Sequence, residues 1–186
     1  NYTLAASSGV SADITARALS ITGPSIASKV YDGSTSAGAL TVGTLSGVVS
    51  GDAVSVGGTA LALSSKNVGS YTTSVSYSLT GADAGNYTLA ASSGVSASIT
   101  ARALSVTGLS GVNRTYDGTL GATTSGTAAL SGQVSGDAVS LDTSGLSASF
   151  ASKSVGTGKS VTVSGLTLTG SDAGNYTLVQ PSGLTA

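Results

Sequence analysis

The stretch YTTSVSYSL, residues 71–79, decides the fold class, because its side chains alternate between two kinds. The larger side chains stand at the odd positions from Tyr71 to Leu79, with one Thr among them, and Ser or Thr fills the even positions. Successive side chains of a β-strand point to opposite faces of the sheet, so this period of two indicates a strand with one buried face. No stretch keeps helical spacing for more than about a turn. The sequence therefore predicts an all-β protein.

A tyrosine motif follows this strand. The pentapeptide DAGNY stands at residues 83–87 and again at residues 172–176, each time after an alternating segment. In immunoglobulin-like sandwiches, a Tyr near the start of the sixth strand hydrogen-bonds the backbone upstream and forms a tyrosine corner. We predict that Tyr87 and Tyr176 are buried in such corners, each with its hydroxyl bonded to backbone near its own Asp-Ala-Gly turn. The pattern favours an Ig-like β-sandwich, and another small β fold such as a β-grasp is the alternative.

The chain repeats itself with a period of domain size. The segment NYTLAASSGVSA at residues 1–12 recurs at residues 86–97 and returns as NYTLVQPSGLTA at residues 175–186, giving periods of 85 and 89 residues. Such periods suit a small domain better than one unit of a solenoid. The predicted division is a closing strand left over from a preceding repeat at 1–13, one β-sandwich at 14–98 and a second at 99–186, arranged end to end. We expect the leftover strand to pair with a substitute sheet edge, on the first β-sandwich or on a neighbouring chain.

The joint between the two domains is marked by a change of phase. Apolar residues occupy odd positions up to Ile99 and even positions from Leu104, with Arg102 at the pivot; Arg17 holds the same place one repeat earlier. No Pro/Gly-rich linker intervenes, so we predict a short, stiff joint. We also expect Arg102 to form an ion pair across it with a turn carboxylate, Asp83 or Asp117.

A similar phase change occurs inside the second repeat. Val161 and Val163 are in one phase and Leu166 and Leu168 in the other, with Gly165 between them. One extra residue would restore the register, so the sequence predicts a β-bulge at Gly165.

Several landmarks recur in the same order in both repeats. They are a Tyr-Asp-Gly triplet that contains Tyr31 or Tyr116, a Gly-Asp-Ala-Val segment, a Ser-Lys pair, the DAGNY motif and the segment ITARAL around Arg17 or Arg102. Together they resemble the YDG-type repeats of large bacterial surface proteins, the filamentous-haemagglutinin-like and autotransporter-type adhesins. The resemblance implies a secreted or cell-surface location, a part in cell adhesion, and neighbouring repeats of the same chain as partners.

Composition excludes several function classes. The chain has 7 Lys and Arg against 8 acidic residues, all of them Asp, and it has no His, Cys, Met or Trp. A net charge of −1 with scattered basic residues argues against nucleic acid and anionic membranes as partners. No apolar run approaches the roughly 20 residues of a membrane span. With no His, Cys or Glu to act as base or thiol nucleophile, we predict no catalytic residue and no enzyme activity. A monomer is expected.

Calcium is the metal that the sequence could bind, because carboxylate oxygens are its usual ligands. The recurring acids lie beside Gly or in turn signatures, so we predict that they cap turns and keep calcium as the weaker alternative; they are Asp32, Asp52, Asp83, Asp117, Asp137 and Asp172. The segment GTGKS at residues 156–160 looks like the end of a phosphate-binding loop. Lys153 stands where that motif requires Gly, so no nucleotide or other cofactor is predicted.

Two functions are compatible with these observations. The first is a structural spacer of a bacterial adhesin, which projects a binding region from the cell. The second is a binding module in which each repeat recognises a host glycan or protein. Glycan recognition usually needs exposed aromatic rings, whereas Tyr31, Tyr87, Tyr116 and Tyr176 lie in repeat-wide motifs and are expected to be buried. Exposed Tyr with convergent Asp or Asn would favour the binding module.

Overall fold

The computed structural model describes residues 1–5 and 9–186. It consists of short β-strands with two single-turn 3-10 segments, Ala84–Asn86 and Ala173–Asn175, which confirms the predicted all-β class. The first repeat contains nine strands: β1 (Arg17–Thr22), β2 (Ser25–Ile26), β3 (Lys29–Val30), β4 (Leu40–Thr41), β5 (Thr44–Ser46), β6 (Ser55–Ala60), β7 (Gly69–Thr80), β8 (Tyr87–Leu89) and β9 (Ser92–Thr100).

The second repeat contains ten strands in the described part of the chain, several of them shorter. They are β10 (Arg102–Thr107), β11 (Ser110–Gly111), β12 (Thr124–Ser125), β13 (Ala129–Ser131), β14 (Ser140–Asp142), β15 (Ser147–Phe150), β16 (Ser160–Ser164), β17 (Thr167–Thr169), β18 (Tyr176–Val179) and β19 (Leu184–Thr185). Residues 1–5 and 9–186 contain no candidate for a membrane-spanning helix.

The long strand β7 confirms the alternation on which the fold class was predicted. Thr73 and Val75 are buried, while Thr72 and Ser76 on the opposite face are exposed. β7 pairs antiparallel with β6 along one part of its length and with β9 along the other, within a sheet of order β3-β9-β7-β6. The register of the β7–β9 pairing shifts between Thr73 and Val75, so the strand has a local irregularity there.

Each repeat also has a three-stranded sheet of the same arrangement. Its order is β5-β1-β8 in the first repeat and β13-β10-β18 in the second. The first strand of each repeat lies parallel to the strand that starts at the DAGNY tyrosine. Arg17 is opposite Tyr87 in one sheet, and Arg102 is opposite Tyr176 in the other. The same local sequence therefore forms the same pairing twice.

Gly165 separates two strands rather than forming a bulge within one. β16 ends at Ser164 and pairs with β15 and β19, whereas β17 starts at Thr167 and pairs with β14. The predicted change of phase is present, since Val163 and Leu166 are both buried on either side of Gly165. Gly165 has φ +80°, and a Cβ there would lie 2.0 Å from the carbonyl oxygen of Gly145. The predicted β-bulge at Gly165 is thus wrong. The chain instead passes from one sheet to another at Gly165, where the close contact with the Gly145 backbone leaves no room for a Cβ.

At the joint, a single residue separates the sheets of the two repeats. β9 ends at Thr100 and β10 starts at Arg102, which leaves Ala101 between them. The side chains of Ile99 and Leu104 on either side are 2% and 0% exposed, as the phase change predicted. Residues 99 and 100 pair with Lys29 and Val30 of β3 and therefore lie in a sheet of the first repeat.

The described residues of the N-terminal segment, 1–5 and 9–13, do not form the expected strand. Residues 1–5 and 9–13 have no strand pairing and are exposed, and residues 6–8 of the predicted segment lie outside the described residues. The segment copies the sequence of β8 and the start of β9. In the first repeat those places are already filled by residues 87–89 and 92–100, which pair with β1, β3 and β7. The described residues of the segment therefore pair with no sheet edge of this chain, and pairing with a neighbouring chain stays a prediction.

The principal buried cluster lies across the joint and draws on both repeats. From the first repeat it takes Tyr31, Leu63, Ala97 and Ile99, and from the second Leu104, Val139 and Tyr176. Burial of apolar area contributes roughly 25 cal/mol per Å². The repeats thus share apolar burial at the joint, which beads joined by a free linker would not do.

Candidate functional site

The joint contains the most developed arrangement of side chains in the described part of the molecule. On the side of the first repeat lie four residues that we call its tyrosine face: Tyr31, Lys66, Asn67 and Val68. On the side of the second repeat lie four residues that we call its carboxylate face: Asp137, Asp172, Asn175 and Tyr176. Each face brings together two sequence motifs that are far apart along the chain.

Asp137 is the centre of the joint. Its Oδ2 accepts hydrogen bonds from the hydroxyls of Tyr31 at 2.8 Å and Tyr176 at 2.6 Å. Its Oδ1 lies 3.2 Å from the ammonium nitrogen of Lys66, and its side chain is only 4% exposed. Burying a carboxylate is costly unless it is paired and hydrogen-bonded. Asp137 has three partners, two of them from the other repeat, so its burial depends on contact between the repeats.

The two tyrosine rings pack against each other beside this carboxylate. The ring centroids of Tyr31 and Tyr176 are 5.4 Å apart at an interplanar angle of 77°, an edge-to-face arrangement. Such pairs contribute about 0.5–1.5 kcal/mol beyond the apolar area that they bury. Tyr31 is 0% exposed and Tyr176 is 6% exposed. The pair therefore lies in a dry, closely packed part of the joint.

The electrostatics of the joint favour a charged Asp137 and two neutral tyrosines. The hydrogen bond from Tyr176, with those from Tyr31 and Lys66, holds the pKa of Asp137 below its usual value. Burial, together with the bond to Asp137, raises the pKa of both Tyr31 and Tyr176. The neighbouring Tyr31 hydroxyl and the Asp137 carboxylate raise the pKa of Lys66. At neutral pH every group is thus in the protonation state that its hydrogen bonds require.

Asn175 adds a second set of bonds between the repeats. Its Oδ1 accepts from the backbone N–H of Val68 at 2.9 Å, and its Nδ2 donates to the side-chain oxygen of Asn67 at 3.2 Å. Asn175 is buried, whereas its equivalent Asn86 in the first repeat is exposed. The asparagine of the DAGNY motif therefore hydrogen-bonds a neighbouring repeat where one packs against it.

Gly33 of the first Tyr-Asp-Gly triplet fits against the second repeat. It has φ +78°, and a Cβ on it would lie 2.9 Å from the Val134 side chain. Gly118 of the second triplet has the same φ of +78°, but its nearest contact would be 3.9 Å away. The turn requires Gly in both triplets, and the close approach of another repeat adds a second requirement at Gly33 only.

Arg102 does not form the ion pair that the sequence suggested. Its Nε donates to the carbonyl oxygen of Gly132 at 2.7 Å, within the second repeat. Among residues 1–5 and 9–186, the ion pairs across the joint are those of Lys66 with Asp137 at 3.2 Å and with Asp172 at 3.5 Å. The expected pair with Asp83 or Asp117 is wrong, because β10 directs Arg102 toward the turn after β13 and Lys66 reaches the carboxylates instead. Among the described residues, 1–5 and 9–186, Arg17 also forms no ion pair.

Tyr87 and Tyr176 are buried as predicted, but their hydroxyls do not form the bond expected of a tyrosine corner. Tyr87 is 7% exposed; its hydroxyl accepts from the Val49 N–H at 3.1 Å and donates to Asp52 at 2.5 Å. Tyr176 does the same with the Val134 N–H at 3.0 Å and with Asp137. The expected bond near the Asp-Ala-Gly turn is wrong. Both rings instead reach the turn that contains the Gly-Asp-Ala-Val motif.

The remaining recurring acids hold turns. Asp83 and Asp172 each accept from a backbone N–H of the Gly-Asp-Ala-Val turn, at 2.8 and 2.9 Å. Asp32 accepts from Ser34 N–H and pairs with Lys29 at 2.8 Å, and this ammonium lowers the pKa of Asp32 to about 2. Asp117 accepts from Thr119 N–H and pairs with Arg114 at 2.6 Å. In the described part of the chain, no three acids come close enough to hold a metal ion.

The tyrosine face of the second repeat is open. Tyr116, the equivalent of buried Tyr31, is 61% exposed. It lines a pocket of about 290 Å³ together with Phe150, Lys153, Ser154 and Val155, the equivalents of Leu63, Lys66, Asn67 and Val68. Residues 156–159 of the P-loop-like segment line the same pocket, and strand β16 starts at Ser160, where a phosphate-binding loop requires a helix. The expectation that Tyr116 is buried is wrong, whereas Tyr31 is buried as expected.

Reasoning from single motifs missed the residues that join the repeats. Lys66, Asn67 and Val68 follow the recurring Ser65, and Asn175 lies inside the DAGNY motif, where a turn is by itself a sufficient reason for an asparagine. The signal that could have found them is the recurrence itself. Several polar motifs recur together in each repeat. In the structure they form the tyrosine face of one repeat and the carboxylate face of the next.

Comparison with protein families gives one match, found twice. The YDG domain model matches residues 15–94 and residues 100–183. Residues 95–99, which separate the two matched ranges, lie in β9 just before the joint. No curated protein gives a significant match to the chain. No solved structure gives one either.

Proposed function

Because the chain belongs to the YDG domain family and contains two copies of the domain, we propose that it is a spacer segment of a bacterial adhesin, secreted or held at the cell surface. In this role it keeps its repeats end to end and projects a binding region away from the cell. We also propose that each repeat closes as an Ig-like sandwich of its two larger sheets, with a β-grasp as the alternative.

The observation that supports a spacer is the buried joint. One residue, Ala101, separates β9 from β10, and the seven-residue buried cluster takes members from both repeats. A linker of one residue has no random-coil length to act as a hinge. The Asp137 carboxylate also orients the two repeats relative to each other, because its hydrogen bonds with Tyr31 and Lys66 require one particular arrangement of the repeats. A stalk requires this combination of short linker and oriented contact.

Small-angle X-ray scattering tests the spacer. The 186-residue chain is compared with longer chains made by adding one or two further copies of residues 98–186 after Ala186. Ala186 is the equivalent of Ala97, so each added copy starts with the same sequence that enters the second repeat. We expect the maximum dimension to grow by a constant step for each repeat. Growth with roughly the square root of repeat number would describe a flexible chain and contradict the spacer.

The binding module remains a second candidate because of Tyr116. An exposed aromatic ring beside a pocket is a common feature of glycan recognition, and Arg114 and Lys159 line the same pocket. This function predicts that the chain binds a host glycan or matrix protein and that Tyr116→Ala removes the binding. Tyr77→Ala is the matched control, since Tyr77 lies on strand β7 of the first repeat, away from the pocket. Binding that tolerates Tyr116→Ala would remove the reason for this candidate.

A further inference from the structure

We propose that the open pocket on the second repeat is a docking site for the carboxylate face of another YDG repeat. The inference rests on the proposed spacer function and names the partner that this function needs at the second repeat. The pocket walls are Tyr116, Lys153, Ser154 and Val155. These residues occupy the sequence positions of Tyr31, Lys66, Asn67 and Val68, which form the occupied tyrosine face at the joint.

The matching surface is present on the first repeat. Its carboxylate face consists of Asp52, Asp83, Asn86 and Tyr87, the equivalents of Asp137, Asp172, Asn175 and Tyr176. Tyr87 already donates to Asp52 as Tyr176 does to Asp137. Asn86 is exposed, so the amide that would bond the neighbouring repeat is accessible. Each repeat thus carries both faces, and in this chain one face of each repeat is in use.

Charge and local geometry support this occupant. The pocket carries Lys153 and Lys159 next to Tyr116, whereas the carboxylate face presents two Asp side chains. The turn beneath the pocket is already formed: the Arg114–Asp117 pair and the Asp117 bond to Thr119 N–H copy those of Lys29, Asp32 and Ser34. Only the partner contacts differ, because Tyr116 has no equivalent of the bond from Tyr31 N–H to Thr100 O at 2.9 Å among the described residues. That bond comes from the chain that leads into the next repeat.

Disulfide trapping tests the site directly, because the chain contains no Cys. In the full chain extended by one copy of residues 98–186, Ser154→Cys is combined with Asn175→Cys in the added copy. The control is Asn67→Cys with Asn175→Cys in the unextended chain, where the two native side chains are 3.2 Å apart. We expect the two pairs to oxidise at rates within about threefold of each other.

A mismatched pair measures chance encounters. Ser154→Cys is combined with Ser144→Cys of the added copy, which lies seven residues beyond Asp137, on the order of 20 Å along an extended strand. We expect this pair to oxidise at least tenfold more slowly than the matched pair. Equal rates for the matched and mismatched pairs would overturn the docking site.

Hydrogen exchange provides a measurement that needs no substitution. At the joint, the Val68 N–H donates to Asn175, so in the extended chain the Val155 N–H should donate to the asparagine of the added copy. We expect its exchange to slow at least tenfold relative to the 186-residue chain. Unchanged exchange would overturn the inference. If exchange were unchanged but the maximum dimension still grew by a constant step per repeat, the short linker alone would support the spacer function. If exchange were unchanged and the maximum dimension did not grow by constant steps, both the docking site and the spacer function would be wrong.

Discussion

The two Tyr-Asp-Gly triplets have the same local structure and opposite surroundings. In both, the Asp accepts from a backbone N–H two residues ahead at 2.9 Å and pairs with the basic residue three positions earlier. The glycine has φ +78° in both. Yet Tyr31 is fully buried and Tyr116 is 61% exposed. The triplet therefore builds the turn by itself, while burial of its tyrosine requires the carboxylate face of a neighbouring repeat.

The largest expected difference is between alanine substitutions of these two tyrosines. Tyr31→Ala removes a ring that packs against Tyr176 and a hydroxyl bonded to Asp137. We expect it to lower the free energy of unfolding by about 3–5 kcal/mol, as for other buried aromatic residues. Tyr116→Ala removes an exposed ring and should cost under about 0.5 kcal/mol. Urea denaturation of the full chain measures both, and equal costs would contradict the buried joint.

The two central carboxylates should differ next. Asp137→Asn removes the charge that two tyrosine hydroxyls and Lys66 share, which we expect to cost about 2–3 kcal/mol because hydrogen bonds to a charged group are the stronger ones. Asp52→Asn affects one hydroxyl, that of Tyr87, and should cost about 1 kcal/mol. Thermal melts of the two variants make the comparison. A greater loss from Asp52→Asn would mean that the joint does not depend on Asp137.

A smaller difference is expected between the hydroxyls of Tyr87 and Tyr176. Tyr87→Phe keeps the packing of the ring and leaves the Val49 N–H without its acceptor, at a cost of about 1 kcal/mol. Tyr176→Phe likewise leaves the Val134 N–H without its acceptor, and each variant takes a hydroxyl donor from a carboxylate, Asp52 or Asp137. Because the Asp137 side chain is only 4% exposed, Tyr176→Phe should cost about 1 kcal/mol more. Chemical denaturation of the two variants decides. If the two variants lost the same free energy of unfolding, the joint would contribute nothing to the stabilising effect of the Tyr176 hydroxyl.

The smallest effect concerns acid pH. The pKa of Asp137 is lowered in the folded protein, so its contribution to stability is complete above the unfolded value of about 3.9 and is lost as the pH falls through the folded pKa. We expect the stability of the native chain to fall below about pH 4, and Asp137→Asn to make the fall shallower. Unfolding followed from pH 2 to 6 gives both slopes. A variant with the slope of the native chain would show that other carboxylates account for the acid sensitivity.

The strand pattern could be read from the sequence because it depends on neighbours along the chain. The alternation in β7 predicted which residues are buried, and the phase change around Arg102 placed the joint within a residue of where β9 ends and β10 begins. Long-range partners could not be read in the same way. For the tyrosine hydroxyls and for Arg102, motifs nearby in the sequence predict one set of partners, and the structure shows another.

The sequence by itself determined the all-β class, the two YDG repeats and the turns at each Tyr-Asp-Gly triplet, since all of these follow from alternation, recurrence and side-chain-to-backbone bonds over two or three residues. Only the tertiary structure decided that Lys66 rather than Arg102 crosses the joint, and that identical triplets hold a buried Tyr31 and an exposed Tyr116. The physical reason is that burial and ion pairing depend on what packs against a residue. Equal local sequences in two repeats therefore have different environments when only one of them is covered by a neighbour.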